Sequence, residues 1–203
     1  MKYTTIVFDC DGTLLDTATD LANAVNHVLR THNFPEKSLA EVKASLGNAV
    51  IYLMRQCLPS TVADHELEPY INEFKAYYGK HLKDTTAPYP DILDMLDVLR
   101  EKGYKLAIVS NKIQEGVTPL NKEYFGDRLP VAIGERPGLQ RKPAPDMVLQ
   151  ALKELGSTPE ESIYVGDSEV DVATAENSGL LCIGVTWLSL IHISEPTRHA
   201  QIS

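Results

Sequence analysis

Hydrophobic and polar positions change period twice along the chain. Ile6, Val7 and Phe8 form a short apolar run that stops at Asp9-Cys10-Asp11-Gly12-Thr13, which predicts a strand running into a tight loop. The spacing then becomes helical. Leu21, Ala24, Val25, Val28 and Leu29 share one face, and Val50, Leu53, Met54, Cys57 and Leu58 make a second stripe closed by Pro59. Leu67, Tyr70, Ile71, Phe74, Tyr77 and Tyr78 make a third, expected to end at Gly79, with its tyrosines in the core. Residues 17–85 therefore predict helices and no strand, either as part of the main fold or as an inserted bundle. Thr85-Thr86-Ala87-Pro88-Tyr89-Pro90 cannot continue a helix and reads as a linker.

From Asp91 strands and helices alternate. Ile92, Leu96 and Leu99 predict a helix stopped by Gly103, followed by a strand at 106–109 ending in Ser110-Asn111. A polar helix over 114–125 precedes a short strand at 131–133. Pro145 opens a helix burying Val148, Ala151, Leu152 and Leu155 and closing at Gly156. A strand at 162–165 runs into Gly166-Asp167-Ser168, a helix reaches Ser178 and Gly179, and the last strand spans 181–185. This alternation predicts an α/β fold, a Rossmann-like doubly wound parallel sheet covered on both faces. Residues 188–203 show no period and resemble a translated sequencing-adapter read, so a non-native tail is expected after Trp187.

Parallel sheets bind ligands beyond the carboxyl ends of their strands. Asp9 and Asp11 leave the first strand on the same side and repel each other unless a cation such as Mg²⁺, which takes oxygen ligands, lies nearby. Ser110 closes a second strand, Asp167 a third, and Lys142 sits in a loop able to reach the same edge. Capping would explain each acid and the serine singly, and a lone loop lysine is usually solvated. Their convergence points to a site.

Composition narrows the function. A 203-residue chain with 43% hydrophobic and 23% charged residues is ordinary for a globular protein. A net charge of −9 without a basic run argues against nucleic-acid binding. No apolar run suits a signal peptide or membrane span, and Cys10, Cys57 and Cys182 show neither zinc nor disulfide spacing, so a cytoplasmic protein is expected. Cys10 points away from its flanking aspartates and is expected to pack inertly within the sheet.

Asp9-Cys10-Asp11-Gly12-Thr13, Ser110-Asn111, Lys142-Pro143 and Gly166-Asp167 with Asp171 together resemble the haloacid dehalogenase superfamily of phosphatases, in its phosphoglycolate phosphatase-like branch, over residues 1–187. The resemblance implies a discontinuous core, 1–16 with 86–187, and a helical cap at 17–85. It implies Mg²⁺ held by Asp9, Asp167 and the main-chain carbonyl of Asp11, with Asp171 behind them. Hydrolysis of a phosphate ester needs a nucleophile, an acid and positive charge for the phosphoryl oxygens. Asp9 is the expected nucleophile, forming an aspartyl-phosphate, and Asp11 the acid and base. Ser110 and Lys142 would hold the phosphoryl group, with Asn111, Asn48 and Arg55 also touching the substrate. The expected partner is a small phosphorylated metabolite, with the chain a monomer or homodimer. A sugar-phosphate mutase of the β-phosphoglucomutase type is the nearest alternative, and a non-catalytic binding protein a more distant one. A dehalogenase fits less well, because Asp11 would have no leaving oxygen to protonate.

Overall fold

The computed structural model describes residues 2–187 and the backbone of 200–202. In chain order the elements are β1 (Thr5–Phe8), β2 (Leu15–Asp16), α1 (Ala18–Thr31), α2 (Leu39–Lys43), α3 (Val50–Cys57), α4 (Leu67–His81), β3 (Ala87–Pro88), α5 (Ile92–Glu101) and β4 (Lys105–Ile113). They continue as α6 (Gln114–Leu120), β5 (Val131–Glu135), α7 (Asp146–Leu155), β6 (Ser162–Gly166), α8 (Glu169–Ser178), β7 (Leu181–Val185) and β8 (Ala200–Ile202).

The main sheet runs in the order β5-β4-β1-β6-β7-β8, and every described pairing in it is parallel. β1 lies inside, with both faces covered, which is why Thr-Ile-Val-Phe carries no exposed position. Its side chains alternate between two apolar layers. Ile6 and Phe8 join Leu106, Ile108 and residues of α1 and α5 on one face. Val7 joins Ala107, Val109, Tyr164 and residues of α7 and α8 on the other. Truncating a fully buried member such as Ile108 to alanine would cost about 2–5 kcal/mol.

Register sets where the chemistry falls. Phe8 pairs with Ile108 on one side and Val165 on the other, so Asp9, Val109 and Gly166 come level one residue later. Asp9 N donates to Val165 O at 2.8 Å, carrying β1's ladder one step into the loop.

α1 to α4 lie between β2 and β3, two strands too short to leave a period in the sequence. They pair antiparallel, Leu15 with Pro88 and Asp16 with Ala87, and so tie together both connections to the helical segment. Asp20 in α1 reinforces the tie. Its buried carboxylate accepts from the main-chain N–H and hydroxyl groups of both Thr85 and Thr86.

Several elements depart from the sequence reading. β4 continues past Ser110 to Ile113, with a register shift between Val109 and Ile113. α4 runs through Gly79 to His81. α2 carries one buried apolar residue, Val42, too few for a stripe. The polar helix breaks at Leu120 into a wider turn at Asn121–Phe125, next to Pro119, which lacks the N–H to continue regular pairing. The expected non-native tail falls largely on 188–199 and 203, outside the described residues. Among the described residues, no helix is long and apolar enough to cross a membrane.

Candidate active site

Asp9, Asp11, Ser110, Lys142, Asp167 and Asp171 meet at the carboxyl edge of β1, β4 and β6. Asp9 is buried, and Lys142 Nζ lies 2.8 Å from its Oδ1. That contact is close but off-line, so Asp9 Oδ1 has a charge partner without a well-aligned hydrogen bond. The same ammonium donates to Asp171 Oδ1 at 2.7 Å and to the Tyr164 hydroxyl at 3.1 Å. Tyr164 OH lies 3.1 Å from Asp171 Oδ1 and 3.3 Å from Val109 O, either of which can take its proton.

Asp171 is fully engaged. Besides holding Lys142, it accepts at Oδ2 from Ser168 Oγ (2.6 Å), Ser168 N (3.0 Å) and Asp167 N (3.2 Å), while Ser168 Oγ accepts from Asp171 N. This is the capping box of α8, satisfying amides its first turn leaves unpaired. Gly166 permits the approach, since a Cβ there would collide with the Asp171 side chain.

Asp167 is differently placed. Its Oδ1 accepts from Thr13 Oγ1 at 2.8 Å, and its buried Oδ2 has no described donor. One oxygen each from Asp9, Asp167 and Asp171 lies within 4.8 Å of the others. Three carboxylates against one ammonium leave excess negative charge; Asp167 Oδ2 has no described donor, and Asp9 Oδ1 has only the off-line contact with Lys142. That is a fit for a hard divalent cation, with Asp171's oxygens already occupied.

Electrostatics agree. Burial, then the charges of Asp171 and Asp11, raise Asp9 to about 7 against the pull of Lys142. Burial, Asp171 and Asp9 push Asp167 well above the usual carboxylate range. Burial works against the Lys142 charge, but Asp171 and Asp9 outweigh it and hold the ammonium firmly protonated. Cys10 packs in the core, where burial foremost raises its thiol well above the usual range.

Asp11 is partly open to solvent, with Oδ1 3.2 Å from Lys112 Nζ. Ser110 is buried within the β4 register shift, and its Oγ accepts from Lys112 N at 3.2 Å. A cavity of about 220 Å³ opens in front of these groups. Asp9, Asp11, Ser110 and Lys142 line its polar side, and Leu46, Val50 and Phe74 of the helical segment its apolar side.

Two expected substrate contacts are otherwise employed. Asn111 reaches the cavity wall, but its amide is paired at both ends with Lys142, donating to Lys142 O at 3.1 Å and accepting from Lys142 N at 2.8 Å. It anchors the loop carrying the lysine. Arg55 is not among the cavity-lining residues. It donates to Val62 O at 2.6 Å and Pro59 O at 3.0 Å and pairs with Asp64, because the loop after α3 turns its carbonyls back onto that helix. Asn48 does line the cavity.

Tyr78 and Lys112 escaped the sequence reading, and Thr13, part of the first motif, was not expected to bond Asp167. Lys112 left a signal, since in extended chain the residue two beyond Ser110 shares its side. Tyr78 fell on an apolar stripe that gave no hint of its hydroxyl's partner.

Residues 6–185 match the model of the family described as haloacid dehalogenase-like hydrolase. A phosphoglycolate phosphatase of Pseudomonas putida is 33% identical over 189 residues, covering 90% of this chain and 69% of its own length. One from Aquifex aeolicus is 33% identical over 186 residues, covering 90% and 84%. A crystal structure of a protein from Lactobacillus delbrueckii subsp. bulgaricus superposes with a TM-score of 0.91 at 33% identity, covering 100% of this chain and 95% of that one.

Proposed function

Because the chain belongs to the haloacid dehalogenase-like hydrolase family and is a phosphatase, we propose that it catalyses Mg²⁺-dependent hydrolysis of a small phosphomonoester through an aspartyl-phosphate. The relatives from P. putida and A. aeolicus make 2-phosphoglycolate the leading substrate. One observation carries the mechanism: a buried carboxylate, Asp9, at a strand end, flanked by the Lys142 ammonium and open to a cavity.

Asp9 attacks phosphorus as the carboxylate, with Lys142 beside it reducing repulsion from the phosphoryl oxygens. Ser110, whose Oγ already accepts from Lys112 N, has its own proton to give to a phosphoryl oxygen. Asp11 protonates the departing alkoxide and then takes a proton from the water that hydrolyses the acyl phosphate. Asp9, Asp167 and the main-chain carbonyl of Asp11 are the groups that would hold Mg²⁺, which when bound supplies positive charge against the phosphoryl oxygens. Asp171 holds Lys142 in place. Residues 17–85 act as a cap that keeps bulk water out, moving about the β2–β3 ribbon.

Phosphate release from 2-phosphoglycolate and from an aryl phosphate, with Mg²⁺ and with chelator, tests this reading. Turnover lost by at least a thousandfold or so in Asp9→Asn is the expected result. Undiminished turnover by that variant would remove Asp9 as nucleophile.

A further inference from the structure

We propose that Lys112 selects substrates, by pairing with a carboxylate carried on the carbon next to the ester oxygen. Lys112 is 8% exposed, a rare state for a lysine outside a built site. Its stem lies over Gly116, where a Cβ would come within 3.0 Å of Lys112 Cγ and Cδ. Its ammonium donates to Tyr78 OH at 2.7 Å, lies 4.5 Å from the centre of that ring, and stands 3.2 Å from Asp11 Oδ1. An ammonium has three protons: Tyr78 OH accepts one, Asp11 Oδ1 is a close charge partner without an aligned hydrogen bond, and no further acceptor is found among the described residues.

Resting on the phosphatase reading above, the position of this charge follows from its neighbour. Asp11 serves the leaving oxygen, so a cation 3.2 Å from Asp11 stands on the leaving-group side. Lys142 is already committed to Asp9 and Asp171. The remaining lysine of the cavity wall, Lys75, is an exposed residue of α4. Lys112 is buried, and Leu46, Val50 and Phe74 are also part of the cavity lining, so an ion pair there is screened less than at the open surface. A cavity of about 220 Å³ suits a compact ester with an anionic group at each end. An uncharged leaving group would offer the ammonium no carboxylate besides that of Asp11.

Tyr78 gives Lys112 its second function in this scheme. It belongs to α4 and Lys112 to β4, so their contact joins helical segment and sheet at the point where the substrate's carboxylate would lie. Tyr78 holds the ammonium in place without neutralising it, since burial foremost raises that phenol to about 12 and it stays protonated.

The test is kcat/KM for 2-phosphoglycolate and for ethyl phosphate, which replaces the carboxylate by a methyl group, in wild type, Lys112→Met and Lys112→Arg. Wild type is expected to favour the carboxylated ester, and Lys112→Met to lower the ratio of the two values by about 100-fold, chiefly because the carboxylated ester then shows a higher KM. Lys112→Arg, which keeps the charge, is expected to retain most of the preference. Because a ratio is read, a general loss of activity does not imitate the result. A wild type without preference, or a Lys112→Met ratio equal to that of wild type, overturns the assignment alone. If Lys112→Met does not fold, the wild-type preference and the Lys112→Arg ratio decide it. A wild type that releases no phosphate from 2-phosphoglycolate, ethyl phosphate or an aryl phosphate overturns the phosphatase reading and this assignment with it.

Discussion

Thr13 Oγ1 donates to Oδ1 of Asp167 across 2.8 Å, between residues 154 positions apart, while Asp167 Oδ2 is buried without a donor. The hydroxyl thus fixes a carboxylate whose other oxygen is left over. Mg²⁺ is therefore expected to raise the melting temperature. Ion at about 100 times its Kd contributes about 2.7 kcal/mol, or roughly 5–10 °C for a chain of this size. Asp167→Asn should abolish that shift while raising the melting temperature of the metal-free chain, since it removes one of the three crowded carboxylates. Thr13→Val should shrink the shift by loosening Asp167. Thermal scans across a Mg²⁺ titration, with chelator as baseline, check all three, and a full shift in Asp167→Asn would exclude that residue as a ligand.

Lys142 is the cation between two buried acids, Asp9 and Asp171. Lys142→Met leaves both uncompensated, and losing one partner of a buried ionic network costs about 3–5 kcal/mol. The variant is expected to be inactive and to unfold at lower denaturant. Lys142→Met combined with Asp171→Asn should recover part of the stability but none of the activity. Paired urea melts and phosphate-release assays separate the two effects. A double variant no more stable than Lys142→Met would contradict the uncompensated-charge explanation.

Gly47, in the helical segment, packs against Ser168 at the foot of α8, and a Cβ at 47 would stand 2.9 Å from Ser168 Cβ. Its φ of +86° adds a preference for glycine. Gly47→Ala is expected to cost about 1 kcal/mol of stability. It should lower kcat/KM about tenfold by holding the segment away from the sheet edge. Kinetics and melts of Gly47→Ala and Ser168→Ala would show it; a Gly47→Ala enzyme with unchanged kcat/KM would mean that the contact is not part of closure.

The sheet and its acids were readable because their causes are local. Ile6–Phe8 and 162–165 are apolar runs that end at carboxylates, and a parallel sheet brings such ends to one edge. The cross-chain contacts were not readable. Thr13 meets Asp167, Asn111 meets the Lys142 main chain, and Tyr78 meets Lys112 only after β1, β4, β6 and α4 have packed. The local contacts of Arg55 were equally hidden, for the converse reason. A cation on a helix beside a loop looks available, yet local carbonyls of Pro59 and Val62 hold it. β4 seemed to end at Ser110 because polar residues there read as a turn, although Ser110, Asn111 and Lys112 are all buried against the site.

Asp20 supplies a pH-dependent test of the tie between α1 and the linker. Burial acts to raise its pKa, but hydrogen bonds from the hydroxyls and amides of Thr85 and Thr86 outweigh it and hold Asp20 below its ordinary 3.8. A carboxylate with a lowered folded-state pKa adds stability that is complete above its unfolded value and is lost as pH falls through the folded one. Asp20→Asn places an amide N–H among donors and should cost about 1–3 kcal/mol at neutral pH. The gap between wild type and variant is expected to stay constant from pH 5 to pH 8, to the order of accuracy of a melt, and to narrow as pH falls below about 4. Melting temperatures of both chains over that range measure the gap directly. A gap that widens toward acid, or that is absent at pH 7, would show that Asp20 does not clasp the linker as a carboxylate.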